Sequence, residues 1–363
     1  MLRVFPPVLF CWLMAATIHA APSALPATSA SPATPTPSAS ASMSTLIDSL
    51  QPADLQQVIP LLKSNFINPA ALNEVELNRA TLQGLIARLG RGVVLLPNNT
   101  AAPADASSPL YSEVLDGHIG YLRLGALTAA NLQAMDAALK NFATQKVDAL
   151  LIDLRATPAT NDFATTAEFA KRFAPKGKTL FVLRKPAPKQ EHVFSCDRDP
   201  AYQGLMMVLA DSSTAGAAEV LGATLRLFQK AMIIGQPTAG AAVEYADLPL
   251  PSGKILRVAV GEVMLPEARP LYPTGLTPDL PVEMPEKDKR EIFQASLTKG
   301  MSGFVFEAER PHLNEAALLA GTNPELETAQ TTQRRSTPGE TLHDPVAQRA
   351  VDLVTSLAVY QKR

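Results

Sequence analysis

The 363-residue chain has few aromatic residues, few cysteines and almost no net charge. Aromatic residues make up 6% of it, with one Trp, which argues against a surface that binds sugars or bases by stacking. Lys plus Arg number 32 and Asp plus Glu 34, for a formal net charge of −2, so nothing indicates a nucleic-acid partner. Two cysteines cannot build a disulfide framework or a four-ligand zinc site. We therefore expect no metal and no cofactor.

The first 20 residues are typical of a secretory signal peptide. Arg3 gives the positive start, and Val8 to Ile18 form an uncharged, mostly apolar run that is too short to cross about 30 Å of hydrocarbon. Cleavage after this segment would leave Cys196 as the only cysteine. The sequence predicts an exported protein, in a bacterial periplasm, with no stable membrane span; an uncleaved anchor is the alternative.

Residues 21–45 consist almost entirely of Ala, Pro, Ser and Thr and carry no charge. Such a segment cannot bury enough apolar surface to offset the conformational entropy of the backbone. We predict a disordered linker over 21–45, followed by a folded part, because hydrophobic residues make up 47% of the whole chain.

The folded part begins with helical periodicity and continues with alternating strands and helices. Apolar residues recur at helical spacing from Leu55 to Phe66 and from Leu77 to Leu89, which predicts a helical N-terminal region over 46–96. Residues 110–300 alternate between strand and helix patterns, the signature of an α/β domain with a parallel sheet. Residues 301–363 are predicted to be a C-terminal extension whose last helix is capped by Asp344.

Individual segments of the α/β domain are also predicted. The expected strands are 119–124, 147–153, 179–183, 206–210, 231–234 and a terminal β pair at 254–260 and 262–265; the expected helices are 128–142, 163–173 and 215–228. The charged, proline-containing segment 184–199 is expected to be an exposed loop.

Five motifs, in order, give the stretch from His118 to Val282 a family resemblance. They read IGYLR at 119–123, LIDLR at 151–155, TAGAAE at 214–219, IIGQPTAG at 233–240 and GLTPD at 275–279. This order resembles the tail-specific proteases, also called C-terminal processing peptidases, which are serine endopeptidases with a Ser/Lys dyad. The resemblance implies a crotonase-like α/β core of parallel or mixed sheet with helices, preceded by a small helical N-terminal region.

The chain departs from the family pattern at every position that carries chemistry. The family nucleophile stands three residues before the glutamate that matches Glu219, and this position is Gly216. The general-base lysine position falls on Ala241, and the glutamine that orients the lysine in many members falls on Tyr245. The glycine-rich loop that supplies an oxyanion-hole N–H reads ATPAT at 156–160. The PDZ module of many members has no room before the first core strand.

Nucleophilic catalysis needs a hydroxyl or thiol and a base that takes its proton, and glycine and alanine supply neither. We therefore predict a catalytically silent relative that binds a peptide or an unfolded protein segment. The binding residues expected from the motif are Thr214, Ala215, Gly216, Ala217 and Glu219. They surround a helix N-terminus, whose free N–H groups can accept an anion or a carbonyl oxygen.

Two other functions stay open at this point. Ser212, Ser213 or Thr214 is a conceivable relocated nucleophile of an active serine-type endopeptidase, although turn and capping roles are common for such residues. No lysine stands at the base position, and the first lysine after Ala241 is Lys254. A small-molecule binder or a non-proteolytic enzyme is the third possibility, because one fold hosts many chemistries. The oligomeric state does not follow from the sequence.

Overall fold

The computed structural model describes residues 43–97, 108–186, 190–266, 269–306 and 342–361. The predicted signal peptide and most of the predicted linker lie outside these residues. The chain divides into two compact units, with the boundary after Leu77. Helix α1 (Met43–Asp48) begins inside the linker predicted over 21–45. The last three residues of that linker, 43–45, are therefore helical rather than disordered.

The first unit is helical, whereas the end of the region predicted to be helical over 46–96 is a strand, Val93–Leu96, which pairs into a sheet of the second unit. Helix α1 is followed by α2 (Pro52–Asn65), a 3₁₀ turn (Pro69–Leu72) and the start of α3 (Glu74–Leu89). Pro60 lies inside α2, and the helix continues through it. The rest of α3 belongs to the second unit, and the helix ends at Leu89, before Gly90, whose positive φ of 53° favours glycine.

The centre of the second unit is a mixed sheet with the strand order β11-β8-β7-β4-β3-β2. Only β2 pairs antiparallel in this sheet; the other neighbours pair in parallel. The strands are β2 (Tyr111–Leu115), β3 (Ile119–Arg123), β4 (Ala149–Asp153), β7 (Leu205–Ala210), β8 (Met232–Gly235) and β11 (Leu280–Pro281). This architecture confirms the predicted α/β class.

Both faces of this sheet are covered, which explains why the runs 149–152 and 205–210 are apolar without interruption. On one face Leu122, Ile152 and Val208 lie in a core with helices α4 (Ala129–Thr144), α5 (Phe163–Ala170) and α6 (Ala217–Gln229). On the other face Leu151 and Met207 pack in a second core. The helices of that core are α7 (Glu286–Lys299), α8 (Ser302–Val305) and α9 (Pro345–Gln361).

A second, antiparallel sheet corrects two predictions. The segment 184–199, expected to be a loop, contains the end of β5 (Thr179–Lys185) and all of β6 (Gln190–Ser195), which pair with each other. The β pair expected over 254–265 is one strand, β10 (Ile255–Met264). It pairs with β9 (Val243–Pro249) on one side and with β1 (Val93–Leu96) and β5 on the other. The sequence pattern did not predict β6, because an edge strand can keep polar and charged side chains in solvent.

The C-terminal helix α9 packs on the protein's own core through a buried ion cluster. Asp344 caps the helix by accepting hydrogen bonds from the N–H groups of Val346 and Ala347, as the sequence predicted. Arg155 bridges Asp344 and Asp153 with Nη2 contacts of 2.7 Å to each carboxylate. Burial opposes the charge on Asp153, but the Arg155 guanidinium outweighs it and holds the pKa of Asp153 below its usual range.

Candidate functional site

The family motif at 214–219 forms a sharp turn between strand β7 and helix α6. Gly216 stands immediately before α6 with φ 61° and ψ −120°, a backbone conformation that residues with a Cβ rarely adopt. The side chains of Thr214 and Glu219 are fully buried. A sharp strand-to-helix turn thus carries glycine at the position where the motif predicted the family nucleophile.

The carboxylate of Glu219 binds the backbone at Gly216 and at Ala241, the two positions where the motif predicted the nucleophile and the base. Its Oε2 accepts hydrogen bonds from the backbone N–H groups of Gly216 at 2.8 Å and Ala241 at 2.7 Å. Its Oε1 accepts from the N–H of Gly240 at 2.5 Å and from the Thr238 hydroxyl at 2.5 Å. We call these five residues the Glu219 cluster. It brings the nucleophile position and the base position together, although 25 residues separate them in the chain.

The closing turn at 275–279 is tied to the same cluster. Thr238 Oγ1 accepts from the N–H of Leu276 at 2.8 Å, and the N–H of Thr238 donates to the Leu276 carbonyl. Gly275 has a φ of 72°, and a Cβ there would lie 2.6 Å from Thr238 Oγ1. Three of the five motifs therefore meet around Glu219, which explains why the chain needs these small residues at these positions.

Tyr245 does not act on the base position. Its hydroxyl donates to the carbonyl of Arg91, while Tyr272 donates to the carbonyl of Leu89. Burial raises the pKa of the Tyr245 hydroxyl above its ordinary value. Tyr245 thus fastens the 3₁₀ turn that follows helix α3 (Gly90–Gly92) to strand β9.

The loop that follows strand β4 closes the Gly216 turn. Thr160 forms a parallel β-bridge with Gly216, and its carbonyl accepts the N–H of Ala217 at 2.9 Å. A Cβ at position 216 would lie 2.6 Å from the Thr160 oxygen, closer than real Cβ atoms approach a backbone atom. A serine at this position would therefore displace the loop.

The expectation of free N–H groups at this helix N-terminus is wrong for the first two. The N–H of Gly216 donates to Glu219 and that of Ala217 to Thr160, so neither is available for an anion or a substrate carbonyl. The sequence did not reveal this, because the conformation of the ATPAT loop decides it.

A serine and a lysine do meet nearby, at a place that sequence spacing did not indicate. Lys289 Nζ, on helix α7, lies 3.1 Å from Ser213 Oγ and 2.6 Å from Asp211 Oδ2. Glu286 Oε2 lies 2.7 Å from the same amine, and Ser213 Oγ donates to Asp211 Oδ1 at 2.6 Å. We call these four residues the Lys289 cluster. Nothing in the sequence distinguishes Lys289 from the other charged residues of 286–291, and only the structure shows that it is buried.

The neighbouring hydroxyls have different surroundings. Thr214 Oγ1 accepts the N–H of Asp211 at 3.1 Å, a turn-stabilising role. Ser212 is exposed to solvent. Within the described residues no group of three or more His, Cys, Asp or Glu side chains could hold a metal ion. No helix in the described part of the chain is long and apolar enough to cross a membrane.

Comparisons with known proteins agree with the motif order. The model of Peptidase family S41 matches residues 118–282. A carboxyl-terminal-processing protease of Synechocystis is 25% identical over 185 residues, covering 51% of this chain and 41% of that protein. A carboxy-terminal-processing protease of Bartonella bacilliformis is 28% identical over 191 residues, covering 50% of this chain and 43% of the relative. The chain thus spans less than half the length of these relatives.

Solved structures were also matched. A putative peptidase from Parabacteroides merdae aligns with a TM-score of 0.49 at 15% identity, covering 70% of this chain and 90% of that one. A photosystem II D1 C-terminal processing protease aligns with a TM-score of 0.41 at 22% identity, covering 53% and 47%. The family model, which matches the α/β core over residues 118–282, confirms the resemblance to peptidase family S41, the tail-specific proteases, that the five motifs indicated.

Proposed function

We propose that this protein is an exported, non-hydrolytic member of the tail-specific protease family that binds extended polypeptide. The observation that carries the proposal is the Glu219 cluster, which joins Gly216 and Ala241 through one carboxylate oxygen. Neither residue has a side chain that can attack a carbonyl or take a proton. Removing either member of such a catalytic pair already abolishes most of the rate in related chemistry.

Export is proposed from the sequence of residues 1–20, and the relatives that match are bacterial processing proteases. Polypeptide is the proposed ligand class because the matched relatives are named as processing proteases, whose substrates are protein chains. The residues predicted to bind peptide, which are Thr214, Ala215, Gly216, Ala217 and Glu219, give the proposal little support. The N–H groups of Gly216 and Ala217 already donate to Glu219 and Thr160.

Strand β6 is the better supported place for a peptide. It forms the edge of the antiparallel sheet, and five of its six residues are exposed. An edge strand carries unpaired N–H and C=O groups along one side and can accept a further strand. Val193, whose exposed fraction is 52%, offers an apolar contact beside this row of donors and acceptors.

Proline substitution tests this binding mode. N–H groups of successive residues point to opposite edges of a strand, so either His192→Pro or Val193→Pro removes an N–H that faces away from β5. We expect that variant to retain its stability and to bind an unfolded, fluorescently labelled protein at least tenfold more weakly. If the variant that keeps its stability binds the unfolded protein as well as the wild type does, β6 is not the binding strand.

A second candidate function, serine-type hydrolysis at a relocated site, is favoured by the Ser213–Lys289 contact of 3.1 Å. The charges argue against it. Lys289 is paired with Asp211 and Glu286, and an ammonium ion in two ion pairs has no lone pair to take a proton. The Ser213 hydroxyl already donates its hydrogen to Asp211 Oδ1, so this hydrogen does not point at the Lys289 amine.

Two variants separate the candidates. If Ser213 were a nucleophile, Ser213→Ala would abolish protein cleavage by the full chain, and Lys289→Met would do the same. We expect no cleavage by the wild-type protein and therefore no difference. Ser212→Ala, at an exposed neighbour, is the matched control.

A further inference from the structure

We propose that a cavity between helix α6 and residues 269–277, with Leu265 at its edge, binds an apolar monocarboxylate. The cavity measures about 300 Å³, roughly the space of ten water molecules and the lower end of the range for small-molecule sites. It contains neither residues of the Gly216 turn nor of strand β6. The proposal therefore goes beyond the proposed function and does not depend on it.

The floor of the cavity is apolar. Ala223 of helix α6 lines it together with Leu271 and Leu276, and the exposed fractions of these three side chains are only 2%, 2% and 4%. Leu265 completes this surface. A short hydrocarbon group placed here would leave water, which favours binding.

Two arginines give the cavity its charge, and none of the described residues that line it is acidic. Arg226 is held from one side, because its Nη2 donates to the Thr277 carbonyl at 2.7 Å and to Asp279 Oδ2 at 2.8 Å. Its Nε is buried and has no hydrogen-bond partner among the described residues. Buried donors without acceptors are rare in folded proteins, and each calls for an explanation.

Arg269 supplies a second guanidinium. It is exposed and makes no ion pair within the described part of the chain. A carboxylate is the anion that matches a guanidinium geometrically, through paired N–H···O bonds. The apolar floor selects acids with a short hydrocarbon body over inorganic anions. Such a group occurs in free short-chain fatty acids and in the C-terminal apolar residue of a polypeptide.

Titration of the full chain with hexanoate tests the proposal, followed by chemical-shift changes or calorimetry. Hexanamide has the same hydrocarbon body without the charge and is the matched ligand control. We expect hexanoate to bind at least tenfold more tightly than hexanamide, since a hydrogen bond to a charged group contributes about one order of magnitude in affinity. A tripeptide ending in leucine, with a free or an amidated C-terminus, distinguishes the two sources of the carboxylate.

Variants place the ligand in this cavity. Arg269→Gln is expected to weaken hexanoate binding about tenfold, and Arg269→Lys to restore part of it. Thr274→Trp fills the cavity from an exposed lining position and is expected to abolish binding. Arg198→Gln, which removes an exposed arginine that does not line the cavity, is the control. Equal affinity for acid and amide, or binding unaffected by both Arg269→Gln and Thr274→Trp, overturns the proposal, whereas loss of peptide binding at β6 leaves it intact.

Discussion

Two polar clusters lie at the carboxyl edge of the central sheet, and they differ in what surrounds their polar atoms. In the Glu219 cluster, backbone N–H groups and a threonine hydroxyl surround the carboxylate. The Lys289 cluster contains a serine, a lysine and an aspartate in contact, but each polar atom already has an ionic or hydrogen-bonded partner.

The difference teaches that proximity of the right residue types is a weak indicator of catalysis. What a site needs is a proton acceptor that is free and a reacting atom that a substrate can approach. In this chain Thr160 covers the first cluster, and carboxylates on both sides neutralise the second. Both clusters instead fasten elements together: motif loops in one case, helix α7 in the other.

The largest loss of stability is expected when the buried ion cluster of Asp153, Arg155 and Asp344 is broken. Arg155→Met leaves Asp153 and Asp344 buried without a cation, and removal of one partner from such a cluster costs about 4 kcal/mol in the free energy of unfolding. Urea denaturation of the full chain measures it. Arg257→Met, which breaks an exposed pair with Asp247, is the control and is expected to cost less than about 1 kcal/mol.

The pH dependence of this loss has a definite sign. The pKa of Asp153 is lowered in the folded protein by Arg155, so its contribution to stability is present above the unfolded value of about 3.9 and disappears as the pH falls through the folded value. The gap between wild type and Arg155→Met should therefore shrink between pH 7 and pH 3. A constant gap would show that packing, rather than charge, causes the loss.

The Glu219 cluster comes next. Glu219→Gln replaces one acceptor by an amide donor, which leaves at least one buried N–H group without a partner and forces donors to face each other. The expected loss is about 3 kcal/mol. Glu286→Gln, at a side chain with 60% exposure, is the control. An equal effect of the two substitutions in urea denaturation would mean that Glu219 does not hold the motifs together.

Closure of the Gly216 turn by Thr160 predicts a smaller effect. Gly216→Ala places a Cβ in a left-handed backbone conformation and against a carbonyl oxygen, and we expect a loss of about 2 kcal/mol. Gly84→Ala, inside helix α3 with no atom within 4 Å of the added Cβ, is the control and should stabilise the protein by up to about 1 kcal/mol. If both variants were stabilised, the turn would be open rather than closed.

Ser213→Ala is expected to have the smallest effect, below about 1 kcal/mol, because Asp211 and Lys289 keep each other as partners. Thermal unfolding of this variant beside Ser212→Ala measures the difference. A loss above 2 kcal/mol would show that the serine hydroxyl, rather than the ion pair, anchors helix α7.

Much of the fold followed from sequence pattern, and the exceptions have physical causes. Continuous apolar runs such as 149–153 identify strands covered on both faces. Strand β6 was not predicted, because edge strands can carry charged side chains. Strand β9 was not predicted, because its end is exposed and contains a proline. The motif order identified the family, but contacts made across the fold, such as Lys289 with Ser213 and Thr160 with Gly216, depend on loop conformation and on helix α7, which no local pattern encodes.

The most direct test is the activity of the full chain against an unfolded protein, followed by mass spectrometry, for wild type and for Gly216→Ser combined with Ala241→Lys. The account predicts no cleavage by either, because the wild type lacks the reacting groups and the variant serine meets the Thr160 carbonyl. Cleavage by the wild-type protein that survives repeated purification and disappears in Ser213→Ala would contradict it.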